Sequence, residues 1–161
     1  VNQFGGLAGF NLDETSDVVR ITGVPTPKPE MQEFKSCGIQ PDFCDYEVKI
    51  PEGKKVFMQV QEGNIDVHNF DGILQLTLEK GFVGLKNSSG RLQIEVQAGN
   101  VYSHLNNPKF ELESRLGNIF VNGHVVSKEN EMSSYSGLSG MPVSQLRIKA
   151  NHANIYVKEV K

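Results

Sequence analysis

An apolar position recurs at nine-residue spacing along most of this chain, and that period restricts the fold more than any other feature of the sequence. With the glycine of "GNID" and its equivalents as position zero, units begin at Lys54, Gly63, Gly72, Gly81, Gly90, Gly99, Pro108, Gly117, Ser144 and Ala153. Two residues further on stand Val56, Ile65, Leu74, Val83, Leu92, Val101, Phe110, Ile119, Leu146 and Ile155, all apolar. At 38% apolar content, so complete a set arises by chance less than roughly once in a thousand trials. Position four is apolar in every unit except at Ser103, whereas position five never is, from Gln59 and His68 through to Lys158. This alternation is that of a half-buried β-strand, whose successive side chains leave on opposite faces; a helix would put positions two and five on nearly one side.

Nine is odd, so uninterrupted alternation would turn the next unit's apolar set outward. One residue per unit must break the pleat at a corner, and glycine does so at little steric cost. Position six divides the units into two kinds. Val60, Leu78, Val96, Ser114 and Ala150 extend one strand type to three inward residues, while Asn69, Asn87, Leu105, Gly123 and Glu159 leave the other with two. The shorter type also shares asparagine at position one, in Asn64, Asn100, Asn118 and Asn154, with Phe82 the exception.

The true repeat is therefore eighteen residues, two strands and two corners. Stacking such units predicts an all-β fold: a single-domain β-solenoid of about five coils, each paired to the one before it at about 4.8 Å. An antiparallel meander would leave one apolar sheet face uncovered, since no helix is in view to cover it. Ile65, Val83, Val101 and Ile119 should form one buried column. The domain is expected over residues 45–161, opening with "DYEVKIPEG", with a polar Gly/Ser-rich excursion at 126–143 that leaves a corner and returns to the stack. Residues 1–44 read as an irregular N-terminal cap or a linker, with a short strand at "VVRI" and three prolines in "GVPTPKPEM".

A formal net charge of -3 and scattered basic residues give no electrostatic footprint for nucleic acid. No apolar run is long enough to span a bilayer, so no membrane insertion is expected. The chain begins at Val1 without Met, which predicts an upstream segment, either removed or not included in this sequence; were that a signal peptide, the compartment would be extracytoplasmic. There, Cys37 and Cys44 in "CGIQPDFC" are either a disulfide closing a small loop or two buried thiols.

The chemistry is sparse. Glu95, Glu111 and Glu113 share an outward face and are the candidate carboxylates of a polysaccharide-active β-helix, although solvated sheet faces carry such charges routinely. His68 and His104 occupy equivalent positions with Lys86 between them, about 9 to 10 Å apart, too far to ligate one metal ion. Asp66 recurs in no later unit, unlike the aspartates of calcium-binding nonapeptide repeats. No metal or cofactor site is expected. Position three of the shorter strand stacks Tyr102, Phe120 and Tyr156 on a surface that should be wet. Either this aromatic ladder binds sugar rings or an aromatic-rich partner, or it is covered by Met132, Tyr135, Leu138 and Met141 of the excursion or by Phe34 and Phe43.

From Asp45 to Val125 the segment with "IPEGKK" leading into repeated "G-apolar-x-apolar" units resembles the bacterial adhesin-type family of β-solenoid domains, whose function is unassigned. Leu146 to Val157 resembles it less clearly. The resemblance implies a secreted or cell-envelope domain and supplies no catalytic residue. The expected function is thus a non-catalytic extracytoplasmic binding or scaffold module, with a glycan or surface protein as partner. A self-associating solenoid that stacks through its terminal coils and a polysaccharide-active enzyme are the alternatives.

Overall fold

Apolar alternation broken by glycine produces long strands that change face part-way. The computed structural model describes residues 10–23, 47–126, 133–138, 142 and 144–160. Among these the chain is all-β, with ten strands in one mostly parallel sheet: β1 (Phe10–Glu14), β2 (Val18–Gly23), β3 (Lys55–His68), β4 (Asp71–Lys86), β5 (Ser89–Asn106), β6 (Pro108–Ser114), β7 (Ile119–Val121), β8 (His124–Val125), β9 (Ser133–Leu138) and β10 (Ser144–Val160).

In β4 the buried set runs Leu74, Leu76, Leu78 and then Val83, Leu85; in β5 it runs Leu92, Ile94, Val96 and then Val101, Ser103, Leu105. Parity switches between the halves, and the glycine at each switch, Gly81 or Gly99, has φ of +139° or +135°. Only glycine enters that backbone region readily. At the other corner the chain turns on asparagines in left-handed conformation, Asn69, Asn87 and Asn122, which tolerate φ > 0 better than other side-chain-bearing residues. The amides of Asn69 and Asn87 donate to the carbonyls of Lys86 and His104 on the next strand, at 3.0 and 3.1 Å.

The eighteen-residue register is observed directly: Ile65 pairs with Val83, and Val83 with Val101. Their burial differs from expectation at one end. Ile65 is only half-buried, because β2 pairs with β3 over Lys55 to Gln59 and does not reach it. The described part of "DYEVKIPEG", residues 47–53, does not open the sheet. Val48 and Ile50 pack against the core without joining a strand, and β2 takes the edge position instead, with β1 antiparallel on its outer side.

The order of strands departs from sequence order. After β3, β4 and β5 comes β10, and only then β6 and β7. Leu146 lies between Leu92 and Phe110, and Ile155 between Val101 and Ile119. The column expected from Val101 straight to Ile119 therefore has an extra member. The longer path is taken after β5, which continues through a buried Leu105 to Asn106 instead of turning where Asn87 does; the left-handed corner falls on Asn107. Leu105 thus makes a third inward residue where two were expected. The excursion is more regular than anticipated: within it β9 pairs antiparallel with β6, and just before it β8 pairs antiparallel with β7, so that both lie along the last parallel edge. The outermost positions then fall on short strands, β1 of five residues and β9 of six, and short edges offer less template for pairing with another chain.

Candidate binding groove

The second half of each long strand carries two outward rows. At position three the register gives Asp66, Gly84, Tyr102, Tyr156 and Phe120 in that order across β3, β4, β5, β10 and β7. At position five it gives His68, Lys86, His104 and Lys158. Together they line a groove of about 830 Å³ whose far end is closed by Asn122, Gly123 and Glu159. That end is held rigidly: the Asn122 side chain donates to Glu159 Oε2 at 3.1 Å and accepts from the Glu159 amide at 2.9 Å.

The three aromatics predicted from sequence do meet, in the order Tyr102, Tyr156, Phe120. Tyr102 and Tyr156 stack with centroids 4.8 Å apart and planes 6° from parallel; Tyr156 and Phe120 stack at 4.6 Å and 7°. Rings stacked along the rung direction spend their faces on one another. Tyr156 has a ring on both sides, so a ladder of open platforms for several sugar rings is not what forms. Tyr102, at 47% exposure the most open of the three aromatics, keeps one face toward Gly84.

No family model, curated protein or solved structure matches the chain.

Tyr135 does not cover the ladder. It stacks on Phe110 at 5.6 Å, against the first half of the sheet. Leu138 ends β9, opposite Lys109 in that same half. Phe34, Phe43, Cys37, Cys44, Met132 and Met141 lie outside the described residues.

Of the carboxylates read as candidate catalysts, Glu95 is separated from Glu111 and Glu113 by the cations of β10. Because β10 intervenes, Lys149 stands in register between Glu95 and Glu113. Its ammonium is 3.6 Å from Glu113, and Arg147 is 3.6 Å from Glu111. The sequence-order stack would have brought Glu95 beside Glu113. Asp66 and Gly84 fall in the same outward row as the aromatics, as their positions in the repeat require, but sequence reasoning assigned them no role in binding; Phe82, 46% exposed on the same outward side, was overlooked. The signal was present, since Gly84 alone at position three lacks a side chain, but its meaning depends on knowing which ring lies beside it.

Proposed function

We propose that this chain winds as a β-solenoid of about five 18-residue coils and acts as a non-catalytic, extracytoplasmic binding module whose outer groove takes glycan. The winding is supported by connection lengths. Parallel neighbours ordinarily need a connection of about a dozen residues, yet β3 and β4 are joined by two, Asn69 and Phe70, and β4 and β5 by Asn87 and Ser88. Each strand must then return to its own beginning. Five rungs at the usual spacing give a body on the order of 24 Å tall, on which surface side chains are held at fixed intervals. Compartment and the absence of catalysis follow from the resemblance to adhesin-type solenoid domains.

The groove is the observation that carries the binding reading: exposed aromatic edges and one open ring face alternate there with carboxylate, imidazole and ammonium groups. Sugar recognition needs both an apolar surface and flanking hydrogen-bond groups. The short antiparallel strands that form the two outermost positions, β1 and β9, favour this reading over end-to-end stacking through long parallel edges. An oligosaccharide array probed with the wild-type chain and with Tyr102→Ala tests it. Binding to a defined glycan class that weakens in the variant is expected; binding of no glycan, or equal binding by both proteins, rejects it.

A further inference from the structure

The outward row at position three lacks one rung. Asp66 and Tyr102 are each one strand away from Gly84, on opposite sides. The neighbouring rungs show what such a place ordinarily holds, because the rings of Tyr102, Tyr156 and Phe120 succeed one another at 4.8 and 4.6 Å. A gap of one strand therefore leaves space for an object one ring thick against the open face of Tyr102. The Asp66 carboxylate leans over this gap: a Cβ built on Gly84 would overlap its Oδ1 and lie 3.4 Å from its Cγ.

The geometry points to this gap as a subsite for a single sugar ring, stacked on Tyr102 with its hydroxyls on Asp66. Resting on the groove reading, it makes that reading specific. Gly84 forms the floor. Phe82 and Lys86 stand two residues to either side on the same outward face, both exposed, and His68 and His104 flank Lys86 across the strands. A pyranose presents an apolar C–H face to an aromatic ring and a rim of hydroxyls that donate to a carboxylate and accept from an ammonium. The chemistry of the walls discriminates against other occupants. A purely apolar ring would strip water from Asp66 without replacing its hydrogen bonds, and an organic cation would lie beside Lys86.

Gly84→Tyr is the decisive variant. Gly84 lies outside the positive-φ region, so a side chain is allowed there, and among the described residues the obstacle its Cβ meets is a carboxylate able to rotate away. The new ring would complete the ladder from within. Saturation-transfer NMR and titration with the methyl glycosides of glucose, galactose, mannose, N-acetylglucosamine and glucuronate would be run on the wild type, Gly84→Tyr, Asp66→Ala and Lys158→Gln. Expected are binding of at least one glycoside, a loss of about tenfold or more in Gly84→Tyr together with a melting temperature no lower than wild type, and weaker binding in Asp66→Ala. Asp66 is exposed, so that second variant remains informative should Gly84→Tyr fail to fold. Unchanged affinity in either folded variant overturns the subsite. Glycan binding that is lost in Lys158→Gln but kept in Gly84→Tyr also overturns it while leaving the groove reading standing; a blank oligosaccharide array overturns both. Binding confined to an N-acetyltyrosinamide probe would assign the gap to an aromatic side chain of a partner protein and refute the sugar subsite.

Discussion

Substituting alanine at Gly81 and at Gly63 separates two costs that a glycine corner can carry. Both residues have φ in the region reserved for glycine, +139° and +154°, and placing an L side chain there costs about 1–3 kcal/mol. They differ in what a Cβ would meet. At Gly63 the nearest atom is Val60 Cγ1 at 3.8 Å, an ordinary contact. At Gly81 the Cβ would overlap the carbonyl oxygen of Gly63, eighteen residues earlier, and lie 2.8 Å from the carbonyl carbon and 3.2 Å from the nitrogen. Those are backbone atoms of a paired strand, so relief requires opening the β3–β4 ladder. The Gly63→Ala melting temperature should fall by about 2–12 °C, from about 2–4 °C per kcal/mol for a chain of this size. Gly81→Ala should cost more than about 4–5 kcal/mol, a large part of a total stability of about 5–15 kcal/mol. Far-UV circular dichroism melts of the two purified variants make the comparison. Melting temperatures within about 2 °C of each other would refute the close corner-on-corner stacking.

Ser103 supplies a prediction of opposite sign. It is 3% exposed, its hydroxyl has no hydrogen-bond partner among the described residues, and its register neighbours are Leu85 and Val157. Ser103→Val should raise the urea midpoint, with a gain of about 1–3 kcal/mol from removing an unsatisfied buried hydroxyl; a lower midpoint would show that the site cannot accept the added methyls. Lys149→Glu places three carboxylates in a row with Glu95 and Glu113 and should cost about 1–2 kcal/mol at low ionic strength. Most of that loss should vanish in high salt, and a salt-independent loss would contradict the intercalated position of β10. At Gly123, where φ is +83° and a Cβ would meet no atom of the described residues within 4 Å, alanine should cost only about 1–2 kcal/mol for the left-handed backbone, measured by the same melts.

Much of this architecture was legible because its causes are local. Inward and outward faces follow from alternation, so Leu74, Leu76 and Leu78, or Leu92, Ile94 and Val96, could be assigned to the core from their spacing. The corner at Gly81 was legible because a parity change demands one. The aromatics Tyr102, Phe120 and Tyr156 were found by counting positions, and the structure brings them together. Less visible was Leu105, whose burial depends on the turn moving on to Asn107. The antiparallel strand β9 carries no glycine-led apolar unit, so its pairing with β6 left little trace in the repeat.

The sequence by itself determined the period, the faces and the corners, since each is set by a residue's own backbone preference or by the two-residue pleat. It could not determine which unit lies on which. Every unit shares the same eighteen-residue phase, and a strand from residue 144 onward matches the register of β5, β6 or neither equally well. The tertiary structure decided that order through contacts between rungs: Lys149 between Glu95 and Glu113, the Asn118 amide donating to Asn154 Oδ1 at 2.9 Å, and Tyr156 sandwiched between Tyr102 and Phe120. The same contacts decided that Tyr156 has a ring on both faces and that Tyr102 turns a face toward Gly84, because a ring's availability depends on its neighbours across the sheet, which are distant along the chain.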